Sequence, residues 1–378
     1  MDWMKILKIV EKASKEMERV SEKEENIDFI LDGDITPVEN DIPEKEGVSE
    51  KEKVQGKKES QVKKEEVMDE IEHTFIICRE QVEEKGEDFY LAQKNAEYLL
   101  LGVFDGCGGS GAKVYPQFDG QTGARVASRT LAEAVKEWFM NSEVKEKPEQ
   151  NLQKMMERKL KECQKEVQSG QMLLGSLKKE FPSTMAAFLV PKEMNQADFF
   201  WCGDSRGYVL DDTGLHQVTL DDVPITDAME NLREDAPMTN VANASVPFTV
   251  HRKSAKLEKK SLILAATDGC FGYLPSPMEF EKLLIKTMAE SENMQQWESE
   301  LEKEIQKVTG DDFTLAIWSG MFADYQKMKE NFHKRHMDVE QQYPLYEKVS
   351  EERLFQQWEE YKKSYESLWD VGETKDGN

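Results

Sequence analysis

Eight short apolar runs between residues 74 and 318 constrain this chain more than any other feature. They are Thr74–Arg79, Phe89–Ala92, Tyr98–Asp105, Met185–Val190, Phe199–Cys202, Tyr208–Leu210, Leu262–Thr267 and Phe313–Trp318. Each is flanked by turn residues and is too short for an ordinary helix, so each reads as a β-strand. Several, such as YLLLGVF and LILAAT, are apolar at consecutive positions, which predicts strands covered on both faces. Helical spacing lies between them, over Gln121–Phe139, Asn151–Gln168, Met278–Ala289 and Gln295–Val308. Strands and helices do not alternate regularly, so the pattern predicts a layered α+β domain over residues 71–320 rather than a doubly wound sheet.

The flanks differ in kind. Residues 1–70 hold 21 acidic and 13 basic side chains but only two aromatics, Trp3 and Phe29. A segment of that composition cannot bury enough apolar surface to offset its chain entropy, so a disordered tail is expected. Trp3, Ile6, Leu7, Ile9 and Val10 form a short apolar cluster there, read as a frayed helix or a docking segment for a partner. After residue 320 the chain is polar and helical to residue 378. Phe322, Phe332, Leu354, Trp358, Tyr361 and Tyr365 are spaced for one helix face. Packing against the domain is the plainer reading of this C-terminal helical extension, and a partner-binding helix pair the sharper one.

Charge and cysteines narrow the function classes. The net charge of −25 repels phosphate chains and anionic lipid, which argues against nucleic-acid and membrane-surface partners. No apolar run approaches the ~20 residues of a membrane span. Lys5, Lys8 and Glu11 interrupt the stretch where a secretory signal would need an apolar core. Cys78, Cys107, Cys163, Cys202 and Cys270 are an odd number without a C-x-x-C pair, pointing to a reducing, cytoplasmic setting.

The chemistry candidates share a position. Asp105 closes one apolar run and precedes Gly106; Asp268 closes another and precedes Gly269; Asp204 follows FFWCG; Asp311 and Asp312 precede FTLAIW. Acids at the ends of core strands must be exposed, paired or bound to metal, because a buried lone carboxylate is costly. Gly106–Gly111 also fits G-x-G-x-x-G. That dinucleotide fingerprint needs a helix opening within the glycines, whereas Pro116 and Gly120 delay the helix here, so the reading is set aside.

Taken together, Glu87-Asp88, VFDGCGG, STMAAFLV, WCGDSRGYVL, TLDD, ILAATDG and GDDFTLAIW occur in an order that resembles the metal-dependent serine/threonine protein phosphatases of the 2C type. The resemblance implies a two-sheet β-sandwich flanked by helices, with the metal site at one end of the sandwich. It implies catalytic Asp105 and Asp268, and metal ligation by Asp105, the Gly106 carbonyl, Asp268 and Asp311. Asp221 would assist a third, weaker ion, Glu87 and Asp88 would hold metal-bound water, and Asp204 would buttress the sheet. Two Mg²⁺ or Mn²⁺ ions, with a possible third, and a phosphorylated protein substrate opposing a serine/threonine kinase follow from the same resemblance. Oxygen-only ligation suits such hard cations, and no side-chain nucleophile is then needed.

The sequence also departs from the family pattern. Cys107 stands where His or Met is usual, Asp312 where Asn is usual, and Glu83 where an Arg often clamps phosphate. Arg79 is the substitute expected for that clamp. Proton donation to the leaving oxygen falls to water, and Cys107 and Cys270 are read as inert small residues. The rival functions are a catalytically silent module that binds phosphoproteins and a scaffold whose tails do the work. Loss of residues 1–70 and 321–378 would leave activity intact if the tails only recruit.

Overall fold

The computed structural model describes residues 73–141, 148–167, 180–234, 236–343 and 349–369, all within one compact unit. The expected disordered tail of residues 1–70 and its apolar cluster around Trp3 lie outside these described residues. In chain order the elements are β1 (Thr74–Arg79), β2 (Phe89–Lys94), β3 (Tyr98–Phe104), β4 (Val114–Tyr115), β5 (Gln121–Thr122), α1 (Gly123–Met140) and α2 (Glu149–Val167). Then follow β6 (Met185–Pro191), β7 (Gln196–Cys202), β8 (Arg206–Asp211), β9 (Gly214–Gln217), β10 (His251–Lys256) and β11 (Leu262–Ala266). Helices α3 (Pro277–Glu290) and α4 (Met294–Val308), strand β12 (Phe313–Trp318), and helices α5 (Tyr325–Gln342) and α6 (Glu351–Tyr365) complete the chain.

Ten strands form two antiparallel sheets, ordered β1-β12-β11-β8-β9 and β10-β7-β6-β3-β2. The apolar runs explain the layering. Along β11, Leu262, Leu264 and Ala266 face one buried cluster while Ile263 and Ala265 face another. Along β3, Leu100 and Phe104 point to a third, and Leu101 and Val103 point between the sheets. Strands covered on both faces must be apolar at successive positions, and these are. The result is four layers, helix–sheet–sheet–helix, as the sandwich expectation held.

Helix α1 opens where Thr122 accepts a hydrogen bond from the Arg125 amide at 3.1 Å, and it buries Ala127, Leu131, Val135 and Trp138 over the β3 sheet with α2. The other sheet is covered by α3, α4, α5 and α6. Leu354, Trp358, Tyr361 and Tyr365 of α6 share one buried cluster with Phe75 of β1, Tyr208 of β8 and Leu264 of β11. The C-terminal helices therefore belong to the core. Among the described residues, no helix is long and apolar enough to cross a membrane.

Candidate active site

Both sheets deliver acids to the same end of the sandwich. Asp105 leaves β3, and its carbonyl accepts a hydrogen bond from the Thr184 amide at 2.8 Å. Gly106 then bridges Ser183. A Cβ on Gly106 would stand 2.5 Å from the Ala124 carbonyl oxygen at the start of α1, so only glycine lets the helix press so close. Asp268 leaves β11 in a single 3₁₀ turn whose carbonyl accepts from the Phe271 and Gly272 amides at 3.0 and 2.6 Å. A Cβ on Gly269 would lie 2.0 Å from the Asp312 carbonyl oxygen. The repeated Asp-Gly is thus a steric requirement: each acid sits where a neighbouring backbone passes its glycine at contact.

Electrostatics shows which carboxylates are neighbours. Burial, then the charges of Asp268, Asp88, Asp204 and Asp311, pushes the Asp105 carboxyl well above the usual range. Burial and the charges of Asp268 and Asp221 push Asp204 up to about 8. Burial pushes Asp88 up to about 8 against hydrogen bonds from Thr314 and Thr267, with the charges of Asp268 and Asp312 adding to the rise. Asp268 is raised to about 6 by burial and by Asp311, and Asp311 itself is raised by burial. Asp88 is 3% exposed, whereas Asp105, Asp204 and Asp268 are half-buried, so the cluster lines a cleft rather than a closed cavity. Among the described residues no three His, Cys, Asp or Glu side chains form a ready-made cage for a metal ion.

The donor set nevertheless fits hard cations. One carboxylate oxygen of Asp204, Oδ1, is buried without a hydrogen-bond partner. A buried carboxylate oxygen without a donor is costly unless a cation meets it. The nearby guanidinium goes elsewhere. Arg206, 2% exposed, lies with its guanidinium carbon 4.3 Å from the Phe271 ring centroid and binds Asp221 through both Nε and Nη2, at 2.6–3.1 Å.

Several residues thereby occupy roles other than those expected from sequence. Both Asp221 oxygens are engaged, by Arg206, by Gln217 Nε2 at 3.1 Å and by Asn231 Nδ2 at 3.3 Å. This expected third-ion ligand is instead the partner of a buried arginine, and Asp204 is the acid with an oxygen to spare. Arg79, the expected phosphate clamp, forms an exposed ion pair with Glu302 of α4. Glu83 is exposed on the loop after β1. Asp312 holds that loop: its Oδ1 accepts from the Gln81 amide and its Oδ2 from the Glu87 amide, both at 2.7 Å. A carboxylate accepts two amides where an asparagine oxygen and amide could not, which accounts for Asp at this position.

The acidic pair is oriented by threonines. Thr122 Oγ1 donates to Glu87, and Thr267 Oγ1 donates to Asp88 at 2.9 Å. Cys270 is buried, donates its thiol to the Thr314 carbonyl at 3.2 Å, and is pushed well up by burial, which suits an inert residue. Cys107 precedes the one-turn helix Gly108–Gly111 beside Asp105 and is half-buried.

With this geometry in place, comparison with known proteins gives a consistent picture. The family model for protein phosphatase 2C matches residues 79–307. A Mycoplasma genitalium protein, provisionally assigned as a protein phosphatase, is 24% identical over 265 residues, covering 66% of this chain and 94% of that protein. Among solved structures, the serine/threonine phosphatase Stp1 from Staphylococcus aureus superposes with a TM-score of 0.51 at 19% identity, covering 65% of this chain and 94% of that one. A C. elegans sex-determining protein has the same TM-score of 0.51 at 16% identity, over 69% of this chain and 67% of its own. These structural likenesses concern the fold.

Proposed function

The chain belongs to the protein phosphatase 2C family and is a protein phosphatase; from that premise we propose that it hydrolyses phosphoserine and phosphothreonine monoesters in proteins, using a water activated by divalent cations. The observation that carries the reading is the gathering of Asp88, Asp105, Asp204, Asp268 and Asp311 at one end of the sandwich, each raised by burial and most by one another's charge. Such a cluster is stabilised by cations, and its all-oxygen donors suit Mg²⁺ or Mn²⁺.

In this proposal Asp105, Asp268, Asp311 and the Gly106 carbonyl hold two ions, and Asp204 takes the third position first assigned to Asp221. When bound, these cations lower the pKa of a water and neutralise charge on the phosphoryl oxygens. The protein's own groups do the positioning. Glu87 and Asp88, held by Thr122 and Thr267, accept hydrogen bonds from water entering the cleft. Asp312 fixes the loop that carries Glu87, and the two Asp-Gly turns keep the ligating carboxylates at fixed height. Arg79 is paired with Glu302 and is not assigned to the phosphate, and water would supply the proton to the leaving oxygen. None of the five cysteines, all of them described, is in a disulfide, which suits a cytoplasmic enzyme that opposes a serine/threonine kinase.

A second reading, a silent module that binds phosphoproteins, is favoured by one observation: Arg79 is paired on the surface and Glu83 replaces the expected cation. Hydrolysis of a phosphopeptide and of p-nitrophenyl phosphate, with and without Mn²⁺, separates the two. The parent should turn over only with metal, and Asp268→Asn should lose at least about a hundredfold, the scale of one charge-stabilising group in a transition state. Metal-independent turnover, or turnover indifferent to Asp268, would sink the mechanism. Calorimetric Mn²⁺ binding without turnover would favour the silent module.

A further inference from the structure

The helix α6 lies beyond residue 307, where the family match ends, yet it reaches the segment that borders the site. That segment, described over residues 222–234 and 236–242, is pinned at both ends beside ligand-bearing turns. At its start the Asp222 amide donates to the Gly203 carbonyl at 3.0 Å, and Asp222 Oδ2 accepts from the Gly203 amide at 2.8 Å, one residue before Asp204. At its end Ala242 bridges Ser183, which in turn bridges Gly106. The described middle of the segment adds no strand to either sheet, and α6 packs on it.

The contacts are specific. Asp227 caps the short turn Ala228–Asn231 by accepting from the Met229 and Glu230 amides at 2.9 and 3.0 Å. The same carboxylate accepts from Trp358 Nε1 at 3.1 Å and from Lys362 Nζ at 2.6 Å, both on α6. Two residues past the turn, Arg233 pairs with Glu351 at 2.9 Å and lies 4.4 Å from the centroid of the Phe355 ring. Ala228 and Met229 are buried in the same cluster as Leu354 and Trp358. Packing alone would need no buried indole N–H aimed at a carboxylate. The polar contacts fix the direction of the turn as well as its depth.

We propose that Trp358 and Lys362 of α6 are positioning residues for substrate recognition: they hold the turn at residues 227–233, whose segment is anchored beside the ligand-bearing turns, and thereby decide how a phosphoprotein, as opposed to a small phosphate ester, is received. The proposal rests on the phosphatase reading above for its consequence, and on geometry alone for the clamp. An extended substrate must lie against the border of the cleft, whereas a small aryl phosphate reaches only the cations and their ligands. Loosening the border therefore raises KM for the peptide and leaves turnover of the small ester near its parent value.

The test uses the full chain with Trp358→Phe, which keeps the ring but removes the donor, and with Lys362→Met and Lys362→Arg. Amide hydrogen exchange of residues 222–242 should quicken in Trp358→Phe and Lys362→Met and return towards the parent in Lys362→Arg. With Mn²⁺ present, KM for a phosphopeptide should rise by about three- to tenfold, the loss of one recognition contact, while kcat for p-nitrophenyl phosphate stays within about twofold. Unchanged exchange overturns the clamp whether or not the parent turns over. Quickened exchange with a parallel fall for both substrates, or no rescue by Lys362→Arg, reduces α6 to general support and overturns the specificity role. A parent inert on both substrates overturns the phosphatase reading and with it that specificity role, while exchange still decides the clamp.

Discussion

At Asp204 one carboxylate oxygen is buried without a donor, while seventeen residues later Asp221 has both oxygens engaged by a buried arginine. The two acids should therefore answer substitution in opposite ways. Asp221→Asn leaves the Arg206 guanidinium buried without its counter-charge, and removing one partner of a buried pair costs about 3–5 kcal/mol. Its thermal unfolding temperature should fall sharply, with or without metal. Asp204→Asn removes a carboxylate that its neighbours repel, so the metal-free protein should melt no lower than the parent at pH 8. Its Mn²⁺ affinity, read by calorimetry, should fall. If Asp221→Asn melts like the parent and loses metal instead, the roles are those first read from the sequence. The sequence shows both acids beside apolar strands but not which one Arg206 faces, because that pairing is made across β8 and β9.

At the scale of elements, the buried strands were legible because a strand covered on both faces leaves an unbroken apolar run. Strand β11 is LILAA and all five residues are buried. Of the four edge strands, β1 and β2 were legible as apolar runs, whereas β9 and β10 were not. β10 reads HRKSAK and β9 reads GLHQ, and each closes a sheet on its outer side. Edge strands keep polar and charged residues that discourage further pairing, which removes the signal a reader looks for. The helices α1 to α4 fall within two residues of their expected bounds, since helical spacing of apolar residues survives at the surface. Whether α6 packed on the domain or awaited a partner could not be read from spacing, because both fates require the same apolar stripe. Its burial with Phe75 and Tyr208 means that removing residues 321–378 would uncover a core face rather than trim a tail. The same junction carries a titratable contact. His216 on β9 bonds the Ser364 carbonyl of α6 through Nδ1 at 2.7 Å and Asp211 through Nε2 at 3.2 Å. Burial alone would push this imidazole down, but the Asp211 carboxylate and the Ser364 carbonyl outweigh it and hold it above its ordinary value. A raised histidine gives stability that is complete below its unfolded pKa, about 6.5, and is lost as pH rises through the folded one. Thermal melts of the parent should therefore decline from pH 6 towards pH 8.5, and His216→Gln should flatten that decline. An equal slope in the variant would remove His216 from the account.

For the whole molecule the question is how a chain of net charge −25 handles phosphate. Charge alone would repel it. The local answer is that Asp88 and Asp204, both pushed up to about 8, and Asp268, pushed up to about 6, form a site that suffers from its own charge until cations enter. Native carboxyls with raised pKa retain protons that the unfolded chain has already released. Stability of the metal-free protein therefore falls as pH rises from the unfolded carboxylate range through the raised values. Cations reverse this, and they bind best where no proton must be displaced. The stabilisation by saturating Mn²⁺ should consequently be larger at pH 8 than at pH 5.5. At a hundredfold excess over the dissociation constant it should reach about 2.7 kcal/mol at the higher pH. Because His216 also lowers stability with rising pH, the comparison is made as a difference between metal-loaded and metal-free melts at each pH, which cancels the histidine. A Mn²⁺ increment independent of pH would mean that the clustered acids are not its ligands. A larger increment at pH 8 that vanishes in Asp268→Asn would place the cation among them, and would make the loaded site a local attractant for phosphate on an otherwise repelling surface.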